Sequence, residues 1–169
     1  MSTLQRMFPS LTTFSDLNWE AVTAEYESEY IDLSFPEYLQ QKAADGDCPT
    51  YLFEIAYYEM ALFEAKVSEE KFPHQDGVYL NPTALFLSLE FDVVKMIEEA
   101  KAGHVEVIEK EHCLCIFKNR QSEVKAVNLT EEELKVLQLL EDGPLKDKSV
   151  LKKKNVSELI KQEIIFDLT

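Results

Sequence analysis

Hydrophobic positions in the first half of the chain follow helical spacing. The longest such segment, residues 50–65, carries apolar side chains on two of its sides. A helix that is apolar most of the way round is typical of the centre of a bundle. Shorter helices are predicted from Ser15 or Asp16 to about residue 30, and over residues 34–44.

The second half changes to strand spacing around a predicted hairpin. Residues 112–118 are apolar on both faces, as in a central strand, and residues 123–129 alternate after a turn. Residues 84–90, further upstream, fit either a strand or a helix, whereas residues 92–102 have the spacing of an amphipathic helix.

Three short helices and a final strand are predicted after the hairpin. Thr130 and Glu133 form a capping box that starts the first helix. Helices over residues 145–153 and 156–163 follow, and residues 164–168 fit a strand. A hairpin followed by three short helices is the outline of a winged helix.

These elements predict an α+β protein of two domains. We expect an N-terminal helical bundle over residues 1–78 and a small winged-helix-like domain, a short β-sheet plus three helices, over residues 79–169. Pro73 and Gly77 mark a loop near the boundary. Charge differs across it as well, with 5 basic and 19 acidic residues in positions 1–100 against 12 and 13 in positions 101–169.

Composition and charge argue against several classes of protein, among them nucleic-acid-binding and disulfide-stabilised proteins. The 169 residues carry a formal net charge of −15, which opposes binding to a nucleic-acid backbone. Three cysteines are too few for a disulfide framework and fit a reducing compartment. Neither a membrane-spanning apolar run nor a secretory signal is visible, so we expect a soluble, cytoplasmic protein.

Known catalytic and metal-binding patterns are not evident in the sequence. The four glycines lie too far apart to build a phosphate-binding loop. Cys113 and Cys115 would share one face of a strand while His112 points to the other, so we expect core side chains and no metal site. No catalytic residue and no cofactor are therefore assigned to this chain.

Glu59, within the apolar helix, has two interpretations. Glu54, Glu59 and Glu64 are spaced about 140° apart around the helix, so at least one must face protein. Glu59 is then either a structural carboxylate, bonded to a neighbouring helix end or a Tyr hydroxyl, or a catalytic acid or base whose partner is not identifiable. Cys48 precedes a helix N-terminus, a position that can lower the pKa of a thiol.

The order of these elements resembles the HvfC/MbnC-like family, often labelled putative DNA-binding proteins. Ile55-Ala56-Tyr57-Tyr58-Glu59 is similar to its "Leu-Ala-x-x-Glu" helix. The hairpin over residues 112–129 and the helix beginning Leu129-Thr130-Glu131-Glu132-Glu133 are similar to the elements that follow in that family. The resemblance covers about residues 35–145.

This resemblance implies a non-catalytic subunit in a hetero-complex. Such proteins pair with TIM-barrel multinuclear non-heme iron oxidases and bind a ribosomally synthesised precursor peptide whose cysteines the pair modifies, as in methanobactin biosynthesis. The iron would belong to the partner enzyme. We expect Tyr58 and Glu59 at the partner interface.

A winged-helix sheet with an exposed edge can bind a peptide as an added strand. The predicted edge is residues 123–129, flanked by the helix over 156–163. The predicted peptide-lining residues are Val124, Lys125, Ala126, Val127 and Leu159.

Two rival functions remain open. A winged-helix DNA-binding transcriptional regulator would use the lysine-rich patch over residues 146–154. That patch could instead be a solvated face, contact the acidic half of this same protein, or bind an acidic peptide or protein. An enzyme in its own right would use Glu59 or Cys48.

Overall fold

The computed structural model describes residues 2–141 and 154–168, and side chains over 2–140 and 156–168. Within these residues the protein contains helices and two small antiparallel sheets, which confirms the α+β class. The predicted helix over residues 145–153 lies outside the described residues.

Seven α-helices and five strands make up the described chain. The helices are α1 (Thr3–Met7), α2 (Trp19–Glu29), α3 (Phe35–Ala44), α4 (Thr50–Val67), α5 (Val93–Lys101), α6 (Glu131–Glu141) and α7 (Lys154–Lys161). The strands are β1 (Val78–Leu80), β2 (Leu85–Phe91), β3 (Glu109–Lys118), β4 (Val124–Leu129) and β5 (Ile165–Asp167). The ambiguous run over residues 84–90 is therefore a strand.

Helix starts follow capping chemistry. Ser34 accepts the Glu37 N–H while Glu37 accepts the Ser34 N–H, which completes a capping box at α3. The predicted box of Thr130 and Glu133 is present at α6. Helix α2 starts later than predicted because Asn18, rather than Ser15 or Asp16, supplies the capping oxygen to the Ala21 N–H.

The described residues fall into two compact units. One comprises residues up to Phe63 together with Ser88–His112, and the other comprises Glu64–Leu87 and the described residues from Cys113 onward. The division into domains over residues 1–78 and 79–169 stays a prediction.

The first unit has an aromatic centre built around Phe35. Its ring lies 5.1 Å from the rings of Phe8 and Tyr26 and 5.6 Å from that of Trp19. Buried residues of α4, among them Leu52 and Ile55, add aliphatic area to the same unit. Contacts between these large rings hold Phe8, which follows α1, and helix α2 against the start of α3.

The second unit has its own hydrophobic core, which includes side chains from both strands of the β3–β4 hairpin. Two-stranded pairing of β1 with β5 brings the end of the chain beside residues 78–80. The core consists of Val78, Cys115, Phe117, Leu129, Val136, Leu137, Leu140, Val156, Leu159, Ile164 and Ile165. Helices α6 and α7 supply five of these side chains, and each presents one apolar side to the strands.

Asn81 joins three segments of the second unit. Its side-chain amide donates to the carbonyls of Lys118 and Glu163, at 3.0 and 2.9 Å. Its Oδ1 accepts both the N–H and the hydroxyl of Thr83. Because Asn81 is almost fully buried, these bonds replace water that it would otherwise bind.

Candidate functional site

The β3–β4 hairpin carries most of the predicted site. In the three-stranded sheet the order is β2-β3-β4, so β4 pairs on one side only among the described strands. Cys115 pairs with Val127 and Phe117 with Lys125, which places these four side chains on one face. Val124 and Ala126 lie on the opposite face, as the alternation predicted.

The turn fixes this register. Asn119 accepts the N–H of Ser122 and donates its own N–H to Glu123, both at 2.9 Å. Ser122 has a φ of 64°, the left-handed conformation found at the bulge of a three-residue hairpin loop. The Asn119 side chain also bonds the N–H and the carboxylate of Glu123.

Hydrogen-bonded pairs alternate along an antiparallel ladder. Because Asn119 and Glu123 form such a pair, the backbone groups of Lys125, Val127 and Leu129 point toward β3. The N–H and carbonyl groups of Val124, Ala126 and Asn128 therefore point away from the sheet, at its outer edge. An added strand would bond to these three residues.

The side chains on β4 leave the middle of this edge accessible. Ala126 is exposed and small, and Val124 and Val127 are half-buried. Lys125 is exposed, with its Nζ 2.8 Å from Glu123 Oε2. The Lys125 ammonium and the Asn119 amide hold the pKa of Glu123 below its usual value.

Leu159 does not line this edge with a free side chain. It lies in α7 with no exposed surface and belongs to the core of the second unit. Val127 packs against that same core. In this structure Leu159 therefore supports the hairpin from within and has no surface to offer a peptide.

Glu59 is a buried carboxylate bonded to the backbone. Its Oε1 and Oε2 lie 3.0 and 3.3 Å from the nitrogen of Ser10, the residue that precedes the helical turn Leu11–Thr13. Burial raises the pKa of Glu59, and the bonds from Ser10 oppose that rise. The interpretation of Glu59 as a structural carboxylate bonded to a neighbouring helix end is therefore confirmed.

Tyr58 lies at a small open cavity beside Glu59. This cavity of about 260 Å³ is also lined by Glu98 and Lys101, all within the first unit. Burial raises the pKa of Tyr58, and the neighbouring carboxylates of Glu59 and Glu98 add to the rise. Tyr58 and Lys101 are thus placed together at a surface that a partner could contact.

Glu54 is a second buried carboxylate, for which no specific role is evident from the sequence. It accepts the N–H groups of Glu90 and Phe91, at 3.0 to 3.1 Å. Burial raises its pKa. The spacing of Glu54, Glu59 and Glu64 was the available signal, and two of these three side chains are buried.

The cysteines behave as core or near-core thiols. Burial raises the pKa of Cys115 to about 12 and that of Cys113 in the same direction. Partial burial raises the pKa of Cys48, so its position before a helix does not activate the thiol, as for an ordinary cysteine. The Sγ of Cys48 lies 3.6 Å from the Leu39 carbonyl.

No group of three metal-ligating side chains is found in the part of the chain that the structure describes.

Most of the lysine-rich patch over residues 146–154 lies outside the described residues. The lysines at 146, 148, 152 and 153 lie outside the described residues, and only the backbone of Lys154 is described.

Over the described ranges, no helix combines the length and apolarity needed to cross a membrane.

Comparison with known proteins adds no family assignment. No protein-family model matches the chain, and no curated protein matches its sequence.

Proposed function

We propose that this protein is an accessory subunit that binds an extended peptide along the outer edge of β4. The observation that carries the proposal is the set of backbone groups at Val124, Ala126 and Asn128, which point away from β3. Peptides bound as an added strand gain affinity from main-chain hydrogen bonds and selectivity from alternate side chains. Val124, Lys125 and Val127 would contact those side chains.

The chemistry of the edge supports this proposal. Exposed edges are commonly blocked by proline, by a bulge within the strand, or by charged side chains. β4 contains no proline, its bulge lies in the turn, and its one lysine is engaged by Glu123. The centre of the strand, at Ala126, thus offers room for a second chain.

The proposed identity of the partner enzyme rests on the resemblance to the HvfC/MbnC-like family, and the edge of β4 does not bear on it. We propose that the oxidase is a TIM-barrel enzyme with several iron ions, and that the peptide is a ribosomal precursor modified at its cysteines. The methanobactin-like role would place both proteins in the cytoplasm. Of the two predicted interface residues, Tyr58 at the rim of the first unit's cavity is the proposed contact with the oxidase, whereas Glu59 is buried and supports it from within.

A winged-helix-like arrangement of the C-terminal half belongs to the same proposal. The described hairpin, α6, α7 and β5 follow one another in the order that the sequence predicted for this domain, which supports the proposal. Leu159 contributes by holding α7 against the hairpin's core.

Proline at position 126 gives a sharp test. The N–H of Ala126 points outward, so Ala126→Pro removes a donor to the peptide without removing a bond to β3. Ala126→Ser keeps that donor and serves as the matched substitution. The probe is a synthetic library of random ten-residue peptides, captured on immobilised protein and sequenced by mass spectrometry.

We expect the wild type to enrich a defined set of peptides, and Ala126→Pro to weaken their binding at least tenfold relative to Ala126→Ser. Equal melting temperatures of the two variants would show that both are folded. Failure to enrich any peptide, or equal binding by the two variants, would contradict the proposal.

Co-expression tests the partner. A TIM-barrel iron oxidase encoded beside this protein should co-elute with it as a hetero-complex, with the iron retained by the oxidase after separation. Stoichiometric iron on this chain alone would contradict the division of roles.

A further inference from the structure

A second feature of the hairpin lies at its turn. Arg120 lines an open pocket of about 460 Å³ in the second unit. The other lining residues are Phe72, Pro73, His74, Asp76 and Leu168. Pockets of this size hold a small ligand or one or two residues of a peptide.

Arg120 is held in place from two directions. Its backbone N–H donates to Glu163 Oε2 at 2.8 Å, which anchors the turn beside α7. Its guanidinium carbon lies 4.7 Å from the centre of the Phe166 ring, and Phe72 packs edge-on against that ring at 5.3 Å. A stacked guanidinium keeps its N–H groups in its own plane, free to bind at their edge.

The charge of Arg120 has no ion-pair partner among the described acidic side chains. Asp76 lines the pocket without approaching Arg120 closely enough to pair, and the Glu163 carboxylate is bound to the Arg120 backbone. His74, on the same wall, offers a second ring that can donate a hydrogen bond. An oriented, unpaired guanidinium is well matched to a planar carboxylate.

We infer that this pocket binds a carboxylate of the peptide that lies on β4. The inference rests on the proposed function and specifies its ligand class. Arg120 precedes Val124 by only four residues, so a peptide strand reaching the start of β4 would arrive at the turn. The apolar walls formed by Phe72, Pro73 and Leu168 would hold the aliphatic part of the same residue.

The carboxylate has two chemical sources, an acidic side chain or the peptide's C-terminus. The library is therefore used as two pools, one with free C-terminal carboxylates and one with C-terminal amides. Enrichment of Asp or Glu in the amidated pool would identify a side chain as the ligand. Enrichment confined to the free-acid pool would identify the C-terminus. Either result supports the inference.

Variants then locate the binding group. We expect Arg120→Gln to weaken binding of the selected peptide about tenfold or more. The same peptide with its carboxylate converted to an amide should bind wild type and Arg120→Gln equally. Asp76→Asn should strengthen binding of the acidic peptide several-fold, because it removes a repelling charge from the pocket wall.

The control variant is Lys135→Gln, an exposed charge of the same unit outside the pocket. It should leave binding within about twofold, whereas a general effect of net charge would make it resemble Arg120→Gln. Arg120→Lys keeps the charge without the planar fork and should retain part of the affinity. Melting temperatures show whether loss of the Phe166 contact unfolds either variant.

The outcomes separate the two proposals. Peptides that are sensitive to Ala126→Pro yet indifferent to Arg120→Gln and to amidation would overturn this inference while leaving the proposed function in place. A library with no enriched peptide would overturn both.

Discussion

The carboxylate of Glu59 accepts the backbone N–H of Ser10, with Oε1 3.0 Å from the nitrogen. This bond connects the middle of α4 to the start of the helical turn Leu11–Thr13. It gives a buried acidic side chain on an apolar helix a structural role. Any role in contacting a partner would involve the neighbouring rim of the cavity, where Tyr58 and Lys101 lie.

Burial of Glu59 predicts a pH-dependent stability. Its pKa in the folded protein is raised above the ordinary value of 4.5, so the folded state binds the proton more tightly than the unfolded state. The stability from this group is fully present below about pH 4.5 and is lost as pH rises through the folded pKa. Glu59→Gln cannot ionise, so its free energy of unfolding should improve relative to wild type between pH 4 and pH 7.

Urea unfolding across that pH range measures the difference. Glu64→Gln removes a charge from an exposed position of the same helix and controls for the change in net charge. A difference between Glu59→Gln and wild type that stays constant with pH would show that burial does not perturb Glu59.

Asn81 predicts a large loss of stability on truncation. Asn81→Ala removes two donated bonds, so the Glu163 carbonyl loses its bond from Asn81 and the Lys118 carbonyl keeps only the Thr83 hydroxyl, at 3.3 Å. We expect the free energy of unfolding to fall by about 2–4 kcal/mol. Asn128→Ala, at an exposed position on β4, should change it by less than about 0.5 kcal/mol. Equal losses from the two variants would contradict the assigned bonds.

The three thiols should differ in reactivity. Cys115 has no exposed surface and a pKa of about 12, so native protein at pH 8 should leave it unmodified by iodoacetamide. Cys48 and Cys113 are only partly buried and should react first, though slowly, because their pKa values are also raised. Mass spectrometry of digests resolves the three sites. In urea the rates should become equal, and rapid native labelling of Cys115 would be inconsistent with its burial.

The capping box of α3 predicts a smaller effect. Ser34→Ala removes the hydroxyl that accepts the Glu37 N–H and should lower the free energy of unfolding by about 1 kcal/mol. Ser28→Ala, an exposed serine within α2, is the matched control. Thermal unfolding of both variants measures the difference, and a larger loss from Ser28→Ala would argue against the cap.

Local patterns in the sequence determined most of the elements. Ser34 with Glu37 and Thr130 with Glu133 start helices where capping chemistry is available, and alternation over residues 123–129 gave the strand and its faces. These signals are local because they depend on residues within one turn of helix or one strand. Residues 84–90 were ambiguous because a short apolar run fits both elements, and pairing in the sheet decided for a strand.

Long-range packing decided the rest. The partners of Glu54 and Glu59 lie 36 and 49 residues away, so no local spacing identifies them. Leu159 has the helical spacing expected of a flanking side chain, yet the core of the second unit encloses it. The pocket at Arg120 likewise joins residues 72–76, 120 and 168, which meet only after β1 pairs with β5. The sequence by itself thus determined most of the helices and strands. The tertiary structure decided which polar groups are buried and which strand edge has no partner among the described strands, because both depend on contacts between distant segments.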